Sequence, residues 1–344
     1  MNKTKELVTK MERSIIKDFI QDFLRALSSN TRSKVILMKA LLEEFSSFCC
    51  YLAISIMMCP CCFTIPSIII KLLATASALT YGQRFLTKNS NKWVRRISFG
   101  ITLIISLILV GIGLFLLVLS NNDDLRSRGF ANFCAMQNLK DGGPMNEVRC
   151  AILTEANISG KVLEFGPGPG TNFKCFTNNN NSTTAIQEYV GVEPNTYFKE
   201  EMMREKEKRG LTFPLDFAPL KGEDYVDVTS GSFDAVVMTH VLCSVDSVES
   251  VLANAERALK PGGKMIIMEH VAAPAGTKLK MFQDVVGPIF NIIGNGCKVL
   301  DMKNIIESYL GNRFDVQLDE FEAPMPAFPL LFARPHVKGV ATKK

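Results

Sequence analysis

A glycine-rich segment near the middle of the chain constrains the fold more than any other feature. Residues 162–170 read Val-Leu-Glu-Phe-Gly-Pro-Gly-Pro-Gly, a short apolar run that ends in three alternating glycines. Such a run predicts a buried strand, and glycines directly after it let the backbone turn sharply and approach a ligand closely. The segment therefore predicts a strand, a turn and a helix, with a ligand at the carboxyl end of the strand.

Short apolar runs alternate with helical segments through the second half of the chain. Strands are predicted at 161–165, 189–192, 211–218, 234–238 and 264–269, with helices at 196–208 and 246–260. Strands that alternate with helices are typical of an α/β fold with a mostly parallel sheet.

The glycine spacing indicates which ligand the turn binds. A dinucleotide fingerprint has the form G-x-G-x-x-G, and its third glycine would fall at Thr171. The spacing E-x-G-x-G-x-G instead resembles motif I of the class I methyltransferases, which bind S-adenosylmethionine. The resemblance implies that the turn curves around the methionine and ribose portions of that cofactor. The cofactor-binding residues it implies here are Glu164, Gly166, Gly168 and Gly170.

The second predicted strand ends in an acidic residue. Residues 191–195 read Gly-Val-Glu-Pro-Asn. A carboxylate at this position can accept hydrogen bonds from both ribose hydroxyls of a nicotinamide or an adenosylmethionine cofactor. We therefore predict that Glu193, Pro194 and Asn195 belong to the cofactor site.

Polar residues also follow the next three predicted strands. Glu223 and Asp224 follow the third strand, where methyltransferases of this class contact the adenine. His240 and His270 follow the fourth and fifth strands, where ligands bind in such sheets. We predict that His240 contacts the cofactor. His270 is the candidate catalytic base for the acceptor's proton, although a histidine there could equally shape the pocket. His336 is predicted to be structural.

Four segments resemble one family more closely, and the similarity runs from about residue 160 to 342. The segments are Val-Leu-Cys-Ser-Val at 241–245, Met-Glu-His-Val at 268–271, Gly-Asn-Gly-Cys at 294–297 and Arg-Pro-His at 334–336, followed by Gly339. They are similar to the membrane-anchored thiol S-methyltransferases, the methyltransferase-like-seven group of the endoplasmic reticulum and lipid droplets. Pro167 and Pro169 replace the family's usual Cys and Thr, and Glu193 replaces its Asp.

The resemblance implies a Rossmann-like class I methyltransferase domain with a seven-stranded, mostly parallel sheet. It implies an enzyme that transfers a methyl group from S-adenosylmethionine to a small lipophilic thiol at a membrane surface. Two alternatives stay open at this point. The acceptor could be a membrane lipid or a quinone, or the fold could be a non-catalytic scaffold at a membrane or lipid droplet.

The first 120 residues predict a membrane anchor. Residues 97–119 contain no charge, and 23 helical residues span roughly 34 Å, enough to cross a bilayer core of about 30 Å. A second apolar stretch at 48–70 contains Pro60 and Pro66. We therefore predict an amphipathic, α-helical membrane-anchoring region at 1–120 and the methyltransferase domain at 121–344. The alternative is a helical hairpin buried in a soluble protein.

Charge separates the same two regions. Residues 1–120 hold 15 Lys and Arg against 6 Asp and Glu, a net charge of +9, and residues 121–344 hold 24 against 28, a net charge of −4. The basic excess beside the apolar stretches favours membrane lipid as a partner. The mildly acidic domain argues against a nucleic acid.

The cysteines predict neither a metal site nor a disulfide. Cys59 and Cys62 have C-x-x-C spacing, but no second pair or histidine lies nearby to complete a zinc site. Cysteines between 49 and 62 are candidates for palmitoylation, and the scattered remainder suits a reducing compartment. Asn181-Ser182-Thr183 is a formal glycosylation sequon. It would carry no meaning if the domain faces the cytosol from the endoplasmic reticulum or a lipid droplet, as the resemblance implies, and the membrane topology itself stays open.

Overall fold

The computed structural model describes residues 72, 75, 92–138, 144–176, 186–226, 231–324 and 330–344. The chain forms two compact units, Met1–Leu117 and Val118–Lys344. The apolar stretch at 48–70, the cysteines between 49 and 62 and the sequon at Asn181 lie outside the described residues.

Helix α1 (Lys92–Asn121) contains the predicted apolar stretch and extends it at both ends. Its segment Arg96–Asn121 is the one helix of the described residues that is long and apolar enough to cross a membrane. Only 17% of its most apolar window is buried. A core helix of a soluble protein would be mostly buried, so this exposure disfavours the buried hairpin considered above.

A seven-stranded sheet forms the centre of the second unit. Its strands are β1 (Gly160–Phe165), β2 (Ile186–Val192), β3 (Leu215–Ala218), β4 (Phe233–Thr239), β5 (Leu259–His270), β6 (Phe314–Glu322) and β7 (Pro335–Lys343). The strand order is β3-β2-β1-β4-β5-β7-β6. Strands β1 to β5 run parallel, and β7 is antiparallel to both of its neighbours. The predicted α/β, Rossmann-like fold with a seven-stranded, mostly parallel sheet is confirmed.

Helices cover both faces of this sheet, as alternating strands and helices require. They are α2 (Asp123–Asn138), α3 (Pro144–Glu155), α4 (Phe173–Phe176), α5 (Lys199–Lys208), α6 (Val248–Ala258), α7 (Lys278–Ile293) and α8 (Met302–Leu310). Two of them begin at hydroxyl caps, because Ser247 accepts from the backbone of Ser250 and Thr277 from that of Lys280. Successive side chains of β1 enter different cores, with Leu163 in one cluster and Val162 in the other.

The starts of β3 and β5 differ most from the predicted strand boundaries. Strand β3 begins at Leu215 rather than at 211, directly after Pro214, which has no N–H to donate to a neighbouring strand. Strand β5 begins at Leu259 rather than at 264. Its register with β4 shifts between Phe233 and Ala235, so that the Pro-Gly-Gly segment at 261–263 forms an irregular section within the strand.

Cys150 of α3 and Cys175 of α4 form a disulfide. This pair corrects the expectation that the scattered cysteines are free thiols. The two residues are 25 positions apart in the sequence, and only the packing of α3 beside α4 on one face of the sheet brings them together. Three further cysteines of the described residues, Cys134, Cys243 and Cys297, are free.

Candidate active site

A cavity of about 540 Å³ opens at the carboxyl ends of β1, β2 and β4. This volume lies within the roughly 300–1,000 Å³ of small-molecule sites, and the position is where parallel sheets bind their ligands. The turn after β1, residues 193–195 after β2, His240 and Val241 after β4, and one face of α2 form its wall.

The three glycines of the turn have positive φ angles and different surroundings. A Cβ atom on Gly166 would lie 2.5 Å from Val241, and one on Gly170 would lie 2.8 Å from the ring of Phe173. On Gly168 the nearest protein atom would be 4.0 Å away, at the Phe198 ring. Gly166 and Gly168 line the cavity, whereas Gly170 does not. The missing side chain of Gly168 therefore leaves space in the cavity itself.

Glu193 joins this turn to the end of β2. Its Oε2 atom accepts from the Gly168 N–H at 3.2 Å, and its Oε1 atom accepts from the Asn195 N–H at 2.9 Å. The residue is 7% exposed, and burial raises its carboxyl pKa to about 7. A carboxylate has about four acceptor positions, so Glu193 retains capacity for the two ribose hydroxyls that the sequence predicts.

Pro194, Asn195 and Glu223 also line the cavity, as predicted for cofactor contacts. The Asn195 side chain donates to the Ser127 carbonyl at 2.9 Å and so ties the β2 loop to helix α2. Glu223 is already engaged, because its Oε1 atom accepts from the backbones of Asp246 and Ser247. The other predicted adenine contact, Asp224, is exposed and lies outside the cavity wall.

Helix α2 forms a cavity wall that the sequence did not predict. Arg126, Ser127, Phe130 and Cys134 lie on its cavity side, at the spacing of one helical face. The Arg126 guanidinium donates to Asn295 at 3.3 Å, and Phe130 meets the Phe198 ring edge-on at a centroid distance of 6.1 Å. The apolar residues of this segment do not gather on one helical face, so no amphipathic pattern marked it. Burial, with the charge of Glu193, raises the pKa of the Cys134 thiol to about 12.

Arg149 is the second residue that sequence reasoning missed. It is 8% exposed and lines the cavity. One nitrogen donates to Asn172 and to Thr239, and the other donates to Nδ1 of His240, each at 3.2 Å. Burial lowers its pKa to about 10, so it stays charged near neutral pH. Arg149 forms no direct salt bridge in the described chain, although the charges of Glu164 and Glu269 partly offset the lowering of its pKa.

His240 lines the cavity in a left-handed turn with φ of +57°. Because Nδ1 accepts from Arg149, the proton is assigned to Nε2, which donates to Nε2 of His336 at 3.1 Å. His336 in turn donates from Nδ1 to the Arg334 carbonyl at 2.9 Å. Burial, then the charges of His270 and Arg149, lower the pKa of His240 well below its usual value. The imidazole is therefore neutral near neutral pH.

Glu164 lies behind the cavity wall rather than in it. It is 1% exposed and accepts from the Tyr189 hydroxyl at 2.6 Å and from the Asn172 amide at 2.7 Å. Burial raises its carboxyl pKa to about 7. Glu164 thus acts through Asn172, which orients Arg149. We call the connected series Tyr189, Glu164, Asn172, Arg149, His240 and His336 the buried polar chain.

His270, the predicted catalytic base, does not line the cavity. Its ring stacks on His240 at a centroid distance of 4.7 Å and lies 4.6 Å from the His336 ring. Burial and the neighbouring His336 lower its pKa to about 3. The structure therefore separates the two histidines: His240 reaches the cavity and His270 supports it from within the protein.

The three histidines also have ligand atoms within 4.8 Å of one another, close enough to hold a metal ion. Both ring nitrogens of His240 and of His336 are engaged in hydrogen bonds, so these bonds would have to break before a metal could bind. A second set, Cys243, His270 and Cys297, contains two thiols that already contact each other at 3.0 Å. The observed bonding is that of a hydrogen-bonded cluster.

Comparison with known proteins agrees with this geometry. Residues 163–267 match the family model of a methyltransferase domain, a stretch that runs from the end of β1 into β5 and includes most of the cavity wall. An acidic residue beside an unobstructed glycine turn fits the ribose and methionine portions of S-adenosylmethionine. The chain is a class I, S-adenosylmethionine-dependent methyltransferase.

The relatives narrow this class to one family. Human thiol S-methyltransferase TMT1B is 34% identical over 193 residues, which cover 54% of this chain and 72% of the relative. Human thiol S-methyltransferase TMT1A is 34% identical over 192 residues, which cover 55% of this chain and 73% of the relative. This chain belongs to the thiol S-methyltransferase family. Among solved structures, a methyltransferase of Thermotoga maritima described as a possible histamine N-methyltransferase has 18% identity and a TM-score of 0.41, covering 58% of this chain and 89% of its own.

Proposed function

We propose that the chain methylates the sulfur of a small lipophilic thiol at a membrane surface. One observation carries the choice of acceptor: the wall of the cavity contains a buried cation, Arg149, that makes no direct salt bridge in the described chain and keeps its charge near neutral pH. The names of the relatives, which are thiol S-methyltransferases, support the same acceptor class.

The cofactor site comprises the turn after β1 and the end of β2. S-adenosylmethionine supplies, when bound, a methyl group activated by a sulfonium. Glu193 would accept hydrogen bonds from the ribose hydroxyls, and Gly168 would leave space for the ligand beside it. Pro194 and Asn195 would hold the same loop against the ligand. Correct alignment of acceptor and donor is the main requirement of such a transfer.

Arg149 would promote ionisation of a thiol in the cavity. A free thiol has a pKa of about 8.5, and only the thiolate is a strong nucleophile. A cation within a few ångströms lowers such a pKa by roughly 1–3 units, and hydrogen bonds to three side chains hold Arg149 in the wall. The cavity would therefore favour the thiolate by charge, with the thiol proton released to solvent. Attack of the thiolate sulfur on the methyl group would break the methyl–sulfonium bond and leave the thioether and S-adenosylhomocysteine.

His240 would orient Arg149 and shape the acceptor pocket. Its pKa lies well below its usual value and its Nδ1 atom already accepts from Arg149, so it is a poor proton acceptor. An alcohol is less acidic than a thiol and would need a stronger base. No other histidine of the described residues lines the cavity, which favours the thiol over such acceptors.

Helix α1 would anchor the enzyme in a membrane, and the family resemblance implies the endoplasmic reticulum or a lipid droplet as its location. Its apolar side chains are mostly exposed and its length is sufficient to span a bilayer. Only Asn122 separates α1 from α2, the helix that lines the cavity. The entrance to the site therefore follows the anchor closely along the chain, which suits an acceptor that partitions into lipid.

A product analysis tests this proposal. The detergent-solubilised full chain would be incubated with methyl-labelled S-adenosylmethionine and, in separate reactions at equal concentration, with an alkyl thiol, a quinol and a phospholipid. We expect a labelled thioether from the thiol alone. Labelled quinol or lipid without thioether would replace the proposal with the lipid or quinone alternative. Cofactor binding without any product would favour the non-catalytic scaffold.

A further inference from the structure

We propose that Asn157 carries an N-linked glycan and that the unit Val118–Lys344 folds on the lumenal side of the endoplasmic reticulum membrane. The inference rests on the anchoring role of α1 given above. It reverses the cytosolic orientation that the family resemblance implied, and three independent observations support it.

The first observation is an exposed acceptor sequence. Asn157-Ile158-Ser159 has the form Asn-x-Ser that accepts N-linked glycans. Asn157 follows the end of α3 in a left-handed turn with φ of +50°, and its side chain is exposed. Ser159 is exposed too, whereas the apolar Ile158 between them is 3% exposed. The two residues that the modification requires therefore face solvent.

The location of Asn157 is compatible with catalysis. The residue precedes β1, and the neighbouring Ala156 carbonyl accepts from Lys264 near the start of the regular part of β5. Asn157 thus lies at the amino ends of the parallel strands, while the cavity opens at their carboxyl ends. A glycan here would extend from the edge of the sheet opposite to the active site.

The second observation is the Cys150–Cys175 disulfide. Cys150 lies on α3, the helix that ends just before Asn157. Disulfides persist in the lumen of the endoplasmic reticulum and are rare in the cytosol, where reducing systems keep thiols free. The disulfide therefore indicates the same compartment as the sequon, and it does so by unrelated chemistry.

The third observation is the charge on either side of the span. The 17 residues 80–96 before its apolar part contain five basic residues, and the 18 residues 121–138 after it contain two. Basic residues close to a span stay preferentially on the cytosolic side. This bias places the amino-terminal end of α1 in the cytosol and the chain after Asn121 in the lumen. A lipid droplet has only a monolayer, so this orientation requires the bilayer.

Glycosylation of the full chain in cells tests the proposal. The starting variant would remove the other three sequons by Asn2→Gln, Asn180→Gln and Asn181→Gln. We expect a gel mobility shift of one glycan that peptide N-glycosidase F removes. Asn157→Gln and, separately, Ser159→Ala would abolish the shift. Asn312→Gln provides the matched control, because Asn312 is equally exposed but belongs to no sequon, and it should keep the shift.

Two further measurements separate the possible failures. Microsomes washed with carbonate report anchoring, and protease added to intact microsomes reports the side on which the domain lies. An anchored chain that carries no glycan and is digested would overturn the proposal while the anchor stands. An anchored, protected chain without a glycan would overturn the assignment of Asn157. A chain that washes off and carries no glycan would overturn both this proposal and the proposed anchoring.

Discussion

Nη2 of Arg149 lies 3.2 Å from Nδ1 of His240, and this hydrogen bond assigns the proton of the imidazole to Nε2. The guanidinium keeps its charge, with a pKa lowered only to about 10, and the imidazole next to it has a pKa well below the usual value for histidine. The described cavity wall therefore contains a positive charge beside an imidazole that is neutral near neutral pH. This combination suits an acceptor that reacts as an anion.

Replacing Arg149 by methionine should lower kcat/KM for an alkyl thiol by about tenfold or more at pH 7, because the thiol pKa would return toward its solution value. The rise of the rate with pH should also move to higher pH. Arg149→Lys keeps a charge and should retain part of the activity. Rates across pH 6–9 with each variant would measure this, and calorimetry would show whether cofactor affinity is maintained. An unchanged pH profile in Arg149→Met would contradict the role of the charge.

Removing the carboxyl group of Glu193 should weaken S-adenosylmethionine binding by about tenfold or more, since charge-assisted bonds to two hydroxyls are lost. With a carboxyl pKa of about 7 in the ligand-free protein, the affinity of the unmodified chain should rise from pH 6 to pH 8 as Glu193 ionises. Isothermal calorimetry with Glu193→Ala would test both. Equal affinity at pH 6 and pH 8 would argue against an ionised Glu193 as the ribose acceptor.

The same carboxyl group should cost stability in the ligand-free protein. Its folded pKa of about 7 lies above the 4.5 of an unperturbed glutamate, so folding favours the protonated form. The preference of the folded protein for protonated Glu193 stabilises the fold fully below pH 4.5. This stabilisation is lost as pH rises through 7. Glu193→Gln should therefore raise the free energy of unfolding at pH 8, by on the order of 2 kcal/mol. Denaturant titrations at pH 5 and pH 8 would measure the change in the free energy of unfolding. A gain in stability at pH 5 alone would contradict the predicted pH dependence.

Alanine at Gly168 should impair mainly cofactor binding, whereas alanine at Gly170 should impair mainly stability. Both positions have positive φ, so each substitution carries a backbone cost of roughly 1–2 kcal/mol. A Cβ on Gly170 would also press on Phe173 at 2.8 Å, whereas one on Gly168 would enter the cavity. We expect Gly170→Ala to lower Tm further and Gly168→Ala to lower cofactor affinity more. Thermal melts and calorimetry on the pair would compare them. The reverse ranking in either measurement would disprove the division of roles.

The span should be sensitive to charge at its centre. Lysine costs about 2.5–3.5 kcal/mol per residue at the centre of a membrane helix, and Ile108 and Ile112 lie in the middle of α1. Ile108→Lys combined with Ile112→Lys should release the chain from membranes that retain the unmodified protein after carbonate washing. Leucine at both positions is the control and should stay in the pellet. Retention of the lysine variant would show that other residues anchor the chain.

The sequence predicted the features that depend on neighbouring residues. The turn after β1, the acid after β2 and the strand pattern each lie within a few positions along the chain, so local spacing was sufficient. Arg149, His336 and the cysteine pair required the tertiary fold, since Arg149 and His336 are 91 and 96 positions from His240 and the two cysteines are 25 positions apart. Composition could not indicate helix α2 either, because its contacts with the cavity are made by only one face of a mostly polar helix.

Two candidate residues show where strand-end reasoning reaches its limit. His240 and His270 both follow a predicted strand, so strand-end reasoning places both of them at the site, one as a cofactor contact and the other as the catalytic base. The left-handed turn at His240 directs its side chain into the cavity, whereas His270 still belongs to β5 and pairs with His336 of β7. Glu164 shows the same limit. It was expected to contact the cofactor together with the glycine turn, but its position within β1 buries it beneath that turn.

The buried polar chain also limits how this enzyme can change over evolutionary time. Each member is hydrogen-bonded to the next. A single apolar replacement at Tyr189 or Asn172 therefore leaves a buried polar group without a hydrogen bond and lowers the free energy of unfolding by roughly 1–3 kcal/mol. The effects of two replacements in contact should not add. Substitutions here are therefore expected to be epistatic, and lineages that alter acceptor preference through His240 should change Arg149 or His336 with it.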